Sequence, residues 1–158
     1  MPTDSDLTTR IADWFSRRLP ASWSSGPAQI EVDRDEVIVV LPQAEATGSA
    51  DFRQASREER MALARAAQEA FARTVSWGVL QQGVARLFTT VRAPITAELA
   101  MRERRVLDTL TDSGVATDRS DAVAWCIRLV AQHEADWLDD LHDAATSAGT
   151  RPEPRTQF

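Results

Sequence analysis

The sequence contains no lysine and no tyrosine, a single cysteine, two histidines and six glycines. Each scarcity excludes something. With Cys126 alone there is no internal disulfide, which fits a reducing compartment, and we expect a cytoplasmic protein. No apolar run approaches the roughly 18 residues that a membrane-spanning helix needs, so no membrane association is expected. The opening Met1-Pro2-Thr3-Asp4-Ser5-Asp6 is acidic and polar, so no secretory leader is expected either. The glycines are scattered and form no phosphate-cradling loop. Cys126 and His133 lie about 10 Å apart along a helix, too far for a nucleophile–base pair, and Cys126 falls on an apolar stripe. His133, Asp136 and Asp140 share a face of one predicted helix, which reads as a solvated acidic face rather than a metal site. No cofactor, no metal and no catalytic activity are expected.

What is present is arginine and acid. The net charge is −6, distributed unevenly: residues 1–94 carry 11 arginines against 12 acids, and residues 95–158 carry 7 against 12. An acidic chain is a poor non-specific polyanion binder, which counts against nucleic-acid binding by the C-terminal part.

Periodicity predicts an α+β protein. Leu7, Ile11, Trp14, Phe15 and Leu19 have helical spacing, with Asp6 as cap and Pro20 beyond the end. Residues 29–33 and 36–41 read as a hairpin, and its second strand, apolar on both faces, as a central strand. Residues 43–55 read as a loop. Ser56-Arg57-Glu58-Glu59 is a capping box opening a helix over about 56–74. Residues 75–80 and 84–91 form a second hairpin around Gln81-Gln82-Gly83. Residues 1–94 are thus an α-β-β-α-β-β domain with an antiparallel sheet, and Val37, Val39, Leu41, Phe71, Trp77 and Phe88 are expected in one core. Trp23 is either a packed loop anchor or the wall of a pocket. Beyond it, Ile95–Met101 reads as a short strand, Arg102–Asp112 as a helix ending at Gly114, and about 117–145 as a second helix. Residues 146–158 read as a disordered tail.

In that last part, Leu107-Asp108 with Leu110, then Gly114, then Asp118-Arg119-Ser120-Asp121-Ala122, resembles the ribbon-helix-helix family over about residues 95–143. Acids stand where the family's box has its first serine and its glutamate. The resemblance implies an intertwined homodimer whose paired strands enter the DNA major groove. It implies a reading face of Thr96, Glu98 and Ala100. Phosphate contacts would come from Arg102, Arg104, Arg119 and the helix start at Ser120. It implies a dimer interface of Ile95, Leu99, Leu107, Leu110, Cys126, Leu129 and Val130. Glu98 and Asp118 depart from the pattern and weaken the fit to phosphate.

The leading expectation is a dimeric DNA-binding transcriptional regulator with double-stranded DNA as partner, the N-terminal domain modulating it or taking a protein partner. The alternative is a non-catalytic, antitoxin-like interaction or adaptor dimer that no longer binds DNA. A third reading is a small-molecule binder using the N-terminal sheet.

Overall fold

A computed structural model describes residues 4–44 and 48–148. The chain divides into two compact units, Met1–Pro94 and Ile95–Phe158.

The first unit begins with α1 (Asp4–Ser16) and a single 3-10 turn at Ala21–Trp23, followed by β1 (Gln29–Val32) and β2 (Glu36–Pro42). Two helices, α2 (Ser49–Ala55) and α3 (Arg57–Phe71), lead to β3 (Thr74–Gln81) and β4 (Val84–Leu87). The four strands form one sheet in the order β1-β2-β3-β4. Its turns are chemically specified. In the first, the Asp33 carboxylate accepts from the N–H groups of Asp35 at 2.8 Å and Glu36 at 2.6 Å. In the second, Gln82 and Gly83 both take positive φ, as a tight two-residue hairpin of matching twist requires.

The sheet is not antiparallel throughout, as expected, but mixed. β1–β2 and β3–β4 are antiparallel, whereas β2 and β3 run parallel, with Val37 beside Val75, Val39 beside Trp77 and Leu41 beside Val79. The reason lies in residues 43–73. Two helices carry the chain back along the sheet before β3 begins, the kind of crossover a parallel pair needs.

That register puts Val37, Val39, Leu41, Val75, Trp77 and Val79 on one face, where all are buried. The face packs with α1, through fully buried Ile11 and Phe15, and with α3, through Ala67. Phe71 and Phe88 pack against this core half-buried. The aromatic rings meet edge to face: Phe15 on Trp77 at 5.9 Å, and Trp23 on Trp77 at 6.1 Å. Trp23 is therefore a buried anchor.

The stretch expected as a loop contains α2, whose Phe52 stacks edge-on against Trp23 at 5.7 Å. Ser56 does not form the expected capping box. Its backbone sits at φ −88° and ψ 0°, straight after α2, and no side-chain cap bond forms. Its hydroxyl instead donates to the Phe52 carbonyl and accepts from Arg60 Nε. β4 stops at Leu87 rather than Val91, and residues 89–100 carry no helix or strand.

The second unit is three helices: α4 (Met101–Asp112), α5 (Arg119–His133) and α6 (Ala135–Ala148). Three expectations are corrected. The long second helix is two helices, interrupted at Glu134, where φ is −122° and ψ 29°. No glycine or proline marks this break, and nothing in the structure explains it. Helix α6 continues to Ala148, beyond the start expected for a disordered tail, and the remainder of that tail lies outside the described residues. Ile95–Ala100 pairs with no strand among the described residues, and Met101 already belongs to α4.

Candidate dimer face and nucleic-acid interface

The site grows from the α4–α5 hairpin. Gly114 takes φ +78°, a conformation costly for any residue with a Cβ, and lets the N–H groups of Val115 and Ala116 both reach back to the Leu110 carbonyl. This turn folds Ala116 and Ala122 onto Leu107, with Leu99, Leu110 and Cys126 packed around them. These three buried residues are the entire core of the unit among the described residues.

The start of α5 is capped reciprocally. Asp118 accepts from the Asp121 N–H at 2.9 Å, and Asp121 accepts from the Thr117 N–H at 3.0 Å. Asp118 therefore has a structural task at the position where the resemblance placed a phosphate contact. Ser120 lies exposed in the first turn. Arg119 is also engaged. Its guanidinium makes a two-pronged bond to Asp108 on α4, Nε to Oδ1 at 2.7 Å and Nη2 to Oδ2 at 3.0 Å. The hydrogen bond from Arg119 holds the Asp108 carboxyl below the usual carboxylate range, and the same bond raises Arg119.

Of the other expected contact residues, Thr96, Glu98, Ala100 and Arg102 are exposed. Arg104 donates to the Leu99 carbonyl, which ties the segment before α4 to its first turn. Arg102 and Arg105 have no acceptor among the described residues and are the cations available to a phosphate.

The expected interface residues separate into two sets. Leu107 is buried, and Leu99, Leu110 and Cys126 are half-buried, within the unit's own small core. Ile95, Leu129 and Val130 are exposed, Ile95 retaining 87% of its surface. Two residues outside the expected interface, Val123 and Ile127, join Val130 in a stripe spaced i, i+4, i+7 on α5 and 36%, 61% and 44% exposed. The spacing was the available signal. The adjacent stripe of Ala122, Cys126, Leu129 and Val130 has the same helical spacing and masks it in the sequence. Val106 and Val115 add further exposed apolar surface on the hairpin.

The break at Glu134 places His133 on α5 and Asp136 and Asp140 on α6, so they do not share one helix face. Among the described residues no group of His, Cys, Asp or Glu is gathered as a metal would need, and no helix is long and apolar enough to cross a membrane.

Comparison with known proteins gives two adjoining family matches. Residues 9–87 match the family described as Rv1265-like protein, N-terminal domain, and residues 100–149 match the Mb1296 C-terminal domain. The uncharacterized proteins Mb1296 of Mycobacterium bovis and Rv1265 of Mycobacterium tuberculosis H37Rv are each 41% identical to the chain over 148 residues, covering 86% of it. The chain spans 66% of the length of these relatives. No solved structure matches it.

Proposed function

The chain belongs to the family of Rv1265-like proteins, and we propose that it works as a homodimer whose C-terminal unit binds double-stranded DNA in the ribbon-helix-helix manner. One observation carries the dimer. Among the described residues the C-terminal unit buries only Leu107, Ala116 and Ala122, while Val123, Ile127 and Val130 stand exposed in a row. A unit this small cannot offset its conformational entropy with three buried side chains, and a second copy completes the core. The unpaired segment Ile95–Ala100 then pairs with its symmetry mate and satisfies its backbone groups.

DNA contact rests on position and chemistry. In the paired ribbon Thr96, Glu98 and Ala100 face the groove, and Arg102 and Arg105 meet phosphates. No catalytic step, cofactor or metal enters this reading. The test is sedimentation of the full chain at micromolar concentration, followed by retention of duplex DNA over a salt series. A dimer that binds with a negative salt slope supports the reading, and a monomer removes it.

A second reading is favoured by a specific observation. Arg119 is held by Asp108, Asp118 caps α5, and Glu98 stands on the reading face. These leave the dimer few cations for DNA, which suits an adaptor that binds protein instead. A dimer that retains no duplex at low salt selects this reading.

A further inference from the structure

The N-terminal unit contains a cavity of about 620 Å³ between α2, α3 and the β3–β4 edge of the sheet. Its floor is apolar and aromatic, made by Val75, Trp77 and Phe88, and its rim carries Arg53, Arg57 and Arg60. The size suits a small organic molecule.

The charge arrangement is unusual. Arg60 is only 8% exposed, yet no carboxylate lies within ion-pair distance of it among the described residues. Its partners are neutral: Nε donates to Ser56 Oγ at 2.9 Å, and Nη2 to the Arg53 carbonyl at 2.6 Å, at the end of α2. Burial and then the nearby charges of Arg53 and Arg57 all lower its pKa. Three like charges thus stand together against an apolar wall, an arrangement that is costly until an anion joins them. The guanidinium carbons of Arg60 and Arg53 lie 5.0 and 5.5 Å from the centre of the Phe88 ring. Phe88 therefore already supports both cations through its π face.

The duties of the three differ. Arg60 is committed to Ser56 and to the end of α2, and it locks α2 against α3. Arg53 and Arg57 are exposed, and their guanidinium N–H groups have no acceptor among the described residues. The floor has its own unmet group: Trp77 Nε1 is buried with no hydrogen-bond partner among the described residues.

We propose that this cavity binds a flat aromatic molecule carrying an oxyanion, a carboxylate, sulfonate or phosphate ester. Its anionic group lies on Arg53 and Arg57 and its ring along the apolar lining of Met61, Ala64, Val75 and Phe88. Guanidinium forks bind pairs of oxygens on a carboxylate, sulfonate or phosphate with two parallel bonds, and an apolar lining fits a ring. Every residue that lines the site belongs to the N-terminal unit.

The probe is anilinonaphthalene sulfonate, whose fluorescence rises on binding, titrated into the full chain. The uncharged phenylnaphthylamine, the same ring system without the anion, serves as control. The expected result is saturable binding of the sulfonate that weakens with salt, with the uncharged compound at least about tenfold weaker, a difference of about 1.4 kcal/mol. The double variant Arg53→Gln, Arg57→Gln should lose about tenfold or more for the sulfonate and little for the uncharged compound. Both side chains are exposed, so the fold should survive, and the thermal transition checks that. Ala50→Trp, which fills the cavity from an exposed helical position, should abolish sulfonate binding without touching a charge. Equal affinity for the two compounds overturns the proposal. So does sulfonate binding by the double variant at the parent's strength, because the dye then sits on other apolar surface.

Discussion

Replacing Ile127 with serine tests the dimer face most directly. Ile127 retains 61% of its surface in the single chain, so the substitution removes almost no contact from the unit's own core. Full burial of an isoleucine contributes about 1.5–3 kcal/mol, and the exposed share leaves about 1–2 kcal/mol to be gained against a partner. A two-fold interface uses each residue twice, so the dimer should lose about 2–4 kcal/mol, which is about 30- to 700-fold in its dissociation constant. Sedimentation equilibrium of parent and variant over a wide concentration range reads this number. The far-ultraviolet spectrum of the diluted variant should match the diluted parent, because the α4–α5 packing is unaltered. An unchanged dissociation constant, or a parent that is monomeric throughout, refutes the reasoning.

Four further outcomes are expected. Glu98→Arg should tighten binding to any duplex and steepen the salt dependence, by about 0.9 in log–log slope for each phosphate newly met, as read by fluorescence anisotropy. Asp108→Asn should release Arg119 from its two-pronged bond and also raise DNA affinity, at a small cost to the hairpin. The Asp108–Arg119 pair should also confer a pH dependence. Because the folded carboxyl is held below its unfolded value of 3.8, its contribution is present above that pH and is lost as the pH falls through the lower folded value. The difference in melting temperature between parent and Asp108→Asn should therefore hold from neutrality down to about pH 5 and shrink below about pH 4. Phe15→Ala should destabilise the N-terminal unit by about 3–5 kcal/mol, because the ring is fully buried against Trp14 and Trp77, and calorimetry should show that transition alone displaced.

Much of the sheet was legible because strands and turns are local. Glu36–Leu41, apolar on both faces, announced a central strand, and Gln82-Gly83 announced a hairpin. The direction of β2 against β3 was not legible, since it depends on where α2 and α3 deliver the chain rather than on any residue within the strands. Helix α2 was hidden for a related reason. Its sequence, Ser-Ala-Asp-Phe-Arg-Gln-Ala, is short and largely polar, and what holds it is the contact of Phe52 with Trp23 and Phe88 from distant parts of the chain. In the candidate site, Arg119 could be read as a cation but not as a partner of Asp108. The two are 11 positions apart and meet only once Gly114 has turned the chain. The Ile127 stripe, by contrast, was fully present in the sequence.

The parallel pairing of β2 with β3 also has a consequence for how the chain acquires its structure. Neither strand can finish the sheet's centre until everything from Gln43 to Arg73 has been placed, so closure of a long segment precedes formation of most of the core. During synthesis, α1 and the β1–β2 hairpin must wait with Ile11, Phe15, Val37 and Val39 uncovered until Gln81 has left the ribosome. The α4–α5 hairpin has no such delay. Its contacts close over shorter spans, 11 residues between Asp108 and Arg119, and in the proposed dimer its completion depends on meeting a second copy instead. Within a single chain the longest closure therefore belongs to the N-terminal half, and at concentrations where the dimer is complete a pulse of protease during refolding should cut there first.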